Sequence, residues 1–194
     1  MKISILLICV FISVSFSSIC QEITADSFNK EKKKIFYTSS VKFARNLSGR
    51  VVNRNEGIDD TYDNVLALQL DFLANYDLIR DYLSVGLGLY GSRVYKPNFN
   101  QIGFLGELRG YLSNEVNTIF LFIQMGQSIP IGRSVYRGLD LSFGAGYRFA
   151  IQNHILMVHI SAGGKRSSYN NDFYRYSDNY VMATGVYFGL GYQF

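Results

Sequence analysis

Met182-Ala-Thr-Gly-Val-Tyr-Phe-Gly-Leu-Gly-Tyr-Gln-Phe194 decides how this chain is read. Every second residue gives Met182, Thr184, Val186, Phe188, Leu190, Tyr192 and Phe194. Between them stand Ala183, Gly185, Tyr187, Gly189, Gly191 and Gln193. One face is bulky and apolar, the other mostly small or polar, which is the period-2 pattern of a strand with one oily side. Such a face on a last strand that stops on an aromatic is expected of a transmembrane β-barrel, whose oily side meets lipid.

Seven more alternating segments precede it, over Ile35 to Arg45, Asn64 to Tyr76, Tyr82 to Val94, Gln101 to Leu112, Thr118 to Ser128, Tyr136 to Phe149 and His154 to Arg166; the last segment opens at Asn179. The connectors alternate in length: Asp77–Asp81, Ser113–Asn117 and Ala150–Asn153 are short, whereas Asn46–Asp63 and Ser167–Asp178 are long. Short turns at one end and longer loops at the other predict an all-β fold, an eight-stranded antiparallel up-and-down transmembrane β-barrel, with both termini at the short-turn end.

The oily faces could instead point inward around an apolar cavity, as in a soluble barrel. Three features favour lipid. The chain stops on the terminal aromatic Phe194; the lack of Asp, Glu, Lys or Arg on the oily faces, where each would cost about 2–4 kcal/mol at a bilayer midplane, speaks instead against a soluble barrel with those faces in water. The opposite face is rich in glycine (Gly86, Gly88, Gly144, Gly146, Gly189 and Gly191), as a narrow interior needs. Tyr76, Tyr147, Phe149, Tyr192 and Phe194 gather at the short-turn ends, forming an aromatic girdle.

Residues 1–20 read as a secretory signal peptide, with Lys2 before the apolar run Ile3–Phe16 and small residues after it. Residues 21–34 read as a polar periplasmic leader ending in Lys30-Glu-Lys-Lys-Lys34, and 35–194 as the barrel domain. The only cysteines, Cys9 and Cys20, lie in or at the end of the signal. The exported chain is therefore expected to lack disulfides, a Cys metal site and a Cys nucleophile.

Gly189-x-x-Tyr192-x-Phe194 resembles the signal that the outer-membrane assembly machinery reads on its substrates. Tyr82-Leu-Ser-Val-Gly-Leu-Gly-Leu-Tyr90 and Gly138-Leu-Asp-Leu-Ser-Phe-Gly-Ala-Gly-Tyr147 resemble strands of small eight-stranded outer-membrane proteins. The likeness is to the OmpA/OmpX-like outer-membrane β-barrel superfamily, over roughly 35–194, in its short Bacteroidetes-type form. It implies outer-membrane localisation and biogenesis through the assembly machinery. It carries no activity, since these motifs serve folding and insertion. A weak first strand and the absence of Trp are departures from the pattern.

Parity places Lys42, Arg109 and Arg148 in the interior with Asp71, Glu107 and Asp140, a charge-balanced set. Gln69, Ser84, Gln124, His159 and Ser161 add hydrogen-bonding groups. Eight strands leave room for side chains but not for a water channel, so this set is expected to fill the lumen. A gate or proton path is the functional alternative, and a narrow channel for small solutes the alternative role. A barrel-borne lipid-modifying enzyme is the other; His154 and His159 are its candidate bases, but neither is expected beside a Ser on the lipid side, so no catalytic residue is assigned. No His, Asp and Glu spacing fits a metal, and no cofactor is expected.

The chain has 19 Lys and Arg against 15 Asp and Glu, a net charge of +4. Its loop end is basic, with Arg45, Arg50, Arg54, Arg93, Lys96, Arg133, Arg137, Lys165, Arg166 and Arg175. Arg133, Arg137, Lys165 and Arg166 are the candidate contacts to lipopolysaccharide phosphates, because guanidinium groups pair well with phosphate. Nucleic acid is not expected as a partner, and the chain is expected to be a monomer. The last long loop, rich in Tyr, Asn and Ser from Ser167 to Tyr180, is either a recognition surface or an extension of the last hairpin. The topology is testable with single cysteines and an impermeant maleimide. Positions 53 and 171 should label on intact cells, and positions 114 and 153 only after permeabilisation; the opposite pattern would invert the chain.

Overall fold

The structure, a computed structural model, describes residues 35–53, 57–95, 98–129, 137–152, 154–168 and 180–194. The expected signal peptide and leader, both cysteines, Arg133 and most of the last long loop lie outside the described residues. Among those described there are eight strands and no helix: β1 Ile35–Asn53, β2 Ile58–Ile79, β3 Leu83–Tyr95, β4 Asn98–Tyr111, β5 Thr118–Ser128, β6 Gly138–Ile151, β7 His154–Ser168 and β8 Tyr180–Gln193. Each pairs antiparallel with the next, and β8 pairs with β1, so the sheet closes into a ring.

The closure is staggered. Following paired residues from Thr38 through Leu73, Gly88, Leu105, Gly126, Asp140, Lys165 and Ala183 returns to β1 at Gly49, eleven residues on. Part of that offset is the β1 bulge, and the remainder tilts the strands by about 40° to the ring axis.

Side chains alternate as the period-2 reading requires. On β5, Phe120, Phe122 and Gln124 are buried inside, whereas Ile119, Leu121, Ile123 and Met125 are exposed outside. The exterior is apolar to an unusual degree: Leu87 is 71% exposed and Leu190 67%. Apolar residues are normally hidden from water, so an outward band of this kind needs an explanation of its own.

The first hairpin differs from expectation. β1 continues past Arg45 to Asn53, and β2 begins at Ile58 rather than Asn64. The register shifts between Ala44 and Leu47 and again between Leu47 and Gly49, and Asn64 takes a left-handed φ of 58°. These bulges flip the alternation, so that inward Ala44 is followed by inward Val51, and inward Val65 by inward-packed Tyr62. A bulged strand bends and loses its simple period, so the sequence of this continuation lacks the alternation that marks a strand.

The ring seam is held by aromatics. Phe194 and Tyr37 exchange backbone hydrogen bonds of 3.0 and 2.9 Å. Their rings lie 6.1 Å apart, with Phe72 6.2 Å from each and Tyr192 5.5 Å from Phe194. Tyr192 and Phe194, read above for their likeness to an assembly signal, thus also staple β8 to β1 and β2. Gly189 has a packing role too, because a Cβ there would run into the His159 ring. Gly189→Ala should therefore destabilise the fold by about 1–3 kcal/mol in urea unfolding, the usual penalty for overpacking. His159→Ala should restore most of that loss. A double variant as unstable as the single one would leave Gly189 without a packing role.

Candidate functional site: a filled interior and a basic rim

Narrowness sets the interior chemistry. Phe122 lies edge-on to His159 with ring centroids 5.3 Å apart, and Phe120 packs beside both. The neighbours of these two phenylalanines on the adjacent β6 are glycines: a Cβ at Gly144, paired with Phe122, would sit 2.7 Å from Phe122 Cζ, and one at Gly146, paired with Phe120, would meet the Phe120 ring. With Tyr111 and Met157 these aromatics form an apolar cluster toward the short-turn end. A second cluster of Ala44, Val51, Val65, Val94, Phe99, Val181 and Tyr187 fills the loop end.

Between the two clusters runs a continuous polar column. Arg109 pairs with Glu107 at 2.6 Å, and Gln124 donates to the other Glu107 oxygen at 2.7 Å. Lys42 donates to Gln124 and pairs with Asp71 at 2.8 Å. Gln69 donates to Asp71 at 2.7 Å and accepts from Lys165, which pairs with Asp140. Three cations and three carboxylates alternate along this path, bridged by Gln124 and Gln69. All six charged side chains are at least nine-tenths buried. Toward the loop end Ser92 donates to Gln101, which donates to Ser167 at 2.7 Å.

Five of the six expected lumen charges meet in this column; Arg148 does not. It is buried at the short-turn end, where it donates to the carbonyls of Val116 and Glu115 at 3.0 and 2.9 Å and lies 4.2 Å from the Tyr111 ring. Its place is taken by Lys165. The expectation that Lys165 stands on the rim is corrected: it is 1% exposed, faces Asp140 across the β6–β7 pair, and lies over the rings of Tyr90 and Tyr187. The signal was present in the sequence. Ile160 and Ala162 face outward, so parity sends Gly164 and Arg166 outward and Lys165 inward.

Of the other rim candidates, Arg166 is exposed and stacks on Tyr180 at 4.5 Å, Arg137 is half-buried, and Arg133 lies outside the described residues. Arg50 is exposed and makes a paired contact with Asp59 at 2.9 and 2.8 Å. His154 sits on the exposed short-turn end with Nδ1 2.6 Å from the Tyr192 hydroxyl, and His159 is inside the ring. Among the described residues no group of three or more His, Cys, Asp or Glu is placed to hold a metal ion. Comparison with family models and with curated proteins finds no match for this chain.

A buried ion pair is costly to break from one side, because the partner keeps its charge without water. Lys165→Met should cost about 3–5 kcal/mol in urea unfolding, and adding Asp140→Leu should recover much of it. The neighbouring Arg166→Met should cost less than about 1 kcal/mol, as is usual for an exposed site. Equal losses at the two positions would overturn the inward assignment of Lys165.

Proposed function

We propose that the protein is an integral outer-membrane β-barrel with a non-enzymatic role, a membrane-anchored surface or envelope-integrity protein whose loop end contacts lipopolysaccharide. One observation carries this reading: the outward face of the closed ring is a band of exposed aliphatic and aromatic side chains without a charge. In water that band would be a very large apolar patch; in a bilayer it is the solvent-facing surface. Its height is suitable. Outward runs of nine residues, such as Leu83–Gly91, rise about 21–23 Å at the tilt of the strands, close to the ~25 Å such bands usually have.

The likeness to OmpA/OmpX-like proteins supports the same reading, as does the aromatic cluster at the short-turn end of the seam. The filled interior argues against the channel alternative, since two apolar clusters and a paired column occupy the space a solute would use. Membrane fractionation, heat-modifiable migration on gels and planar-bilayer recording test the proposal together. The full chain should fractionate with the outer membrane, migrate faster unheated than boiled, and conduct little or no current. Recovery as a soluble periplasmic protein would overturn the membrane assignment. Stable, large single-channel conductance would make the pore the better reading.

A further inference from the structure

Three strands repeat one pattern on their outer faces. The outward runs Ile35–Phe43 on β1, Leu83–Gly91 on β3 and Leu156–Gly164 on β7 each span nine residues. In each the next outward residue is an exposed arginine: Arg45, Arg93 and Arg166. Arginine thus closes the apolar band at its loop end on all three strands. Among the described residues none of the three has a carboxylate within ion-pairing distance, whereas the nearby Arg50 is tied to Asp59.

The three arginines are spread over half the ring: β7 and β3 are four strands apart in a ring of eight and lie on opposite sides, with β1 midway between them. Arg45 follows Ala44, which sits opposite Ala67 on β2, and Arg93 sits opposite Leu68 on the same strand. Arg166 sits opposite Met182 on β8, whose other neighbour is Arg50 on β1. The arc therefore covers β7, β8, β1, β2 and β3. On β4 and β5 the corresponding outward positions hold neutral Asn100 and Gln127.

Two of the guanidinium groups are pre-oriented. Arg93 lies 5.2 Å from the Tyr95 ring and Arg166 4.5 Å from the Tyr180 ring. Stacking on a ring occupies one flat face of the guanidinium and leaves its N–H edge free for paired hydrogen bonds, the arrangement that suits phosphate. Cations that have no carboxylate partner among the described residues, at the boundary of an apolar band, are best neutralised by anions lying at that same depth, which in a leaflet are headgroup phosphates.

We propose that this arc is a half-collar in which Arg45, Arg93 and Arg166 each take the phosphates of a separate glycolipid headgroup packed against the apolar band. The proposal rests on the membrane reading above and replaces the rim set expected from sequence, of which only Arg166 is kept. Arg50 is excluded because Asp59 already takes its Nε–Nη2 edge and offsets its charge.

The full chain in lipid nanodiscs, titrated with lipopolysaccharide, tests it. The triple variant Arg45→Gln, Arg93→Gln, Arg166→Gln should bind about tenfold or more weakly, as expected when charge-assisted hydrogen bonds are removed. Arg50→Gln, and Arg80→Gln at the opposite end, should stay close to wild type. Enzymatically dephosphorylated lipopolysaccharide should bind wild type as weakly as the triple variant binds the intact glycolipid. Wild-type affinity in the triple variant would overturn the site, and so would an equal loss in Arg80→Gln, which would reduce the attraction to net charge. Displacement by millimolar inorganic phosphate would assign the arc to a soluble anion and overturn the lipid source. Incorporation into the discs is read first, from heat-modifiable migration. A chain that does not enter them overturns the membrane reading and the site with it, whereas a chain that enters and binds without regard to the arc overturns the site alone.

Discussion

A charge inside a ring of eight strands has no bulk water to solvate it, so it is tolerated only beside a partner. Lys42, Arg109 and Lys165 each find a carboxylate, and Gln124 and Gln69 join the three pairs into one column. These contacts come from β1, β2, β4, β5, β6 and β7. No pair forms unless the ring closes in the observed register, since a slip of one residue would turn each of these groups outward. The column therefore specifies the register as much as it stabilises the fold, and the apolar exterior can be insensitive to register because the interior is not.

Glycine makes the column possible. The interior accepts Phe120, Phe122 and His159 because their cross-strand partners are Gly146, Gly144 and Gly189. Large residues stand beside small ones on neighbouring strands, which lets the rings lie over the glycines and fill the space. The apolar clusters at the two ends keep the column from water and so raise the cost of leaving any member unpaired. A lumen built this way is a core rather than a passage. In the proposed reading its chemistry serves folding, and the surfaces left for recognition are the outer band and the loop-end rim.

Lys165 and Arg166 show how finely the two environments are divided. They are adjacent in sequence, yet one is sealed inside against Asp140 and the other lies exposed on Tyr180. Lysine fits the interior as a compact point charge between a carboxylate and an amide oxygen. Arginine fits the rim, where its planar group can stack and still present an edge to an anion. Composition alone puts both into one basic count, and only the pleat separates them.

Alternation over Thr118–Ser128 and Met182–Phe194 is visible in the sequence because each oily face is uninterrupted, and from it the strand count, their order and most inward residues follow. Lys42, Asp71, Glu107, Arg109 and Asp140 are legible as interior by parity, and the same parity, continued four residues past Ser161, places Lys165 there too. The partners were not legible. Lys165 meets Gln69, ninety-six residues away, through a closure whose stagger is a property of the whole ring. The bulges at Ala44–Gly49 and near Asn64 also escaped, because a bulge removes the very periodicity that reveals a strand. Local pattern determines which way a side chain points; only the closed sheet decides what it meets there, because strand tilt and register bring distant residues to one level.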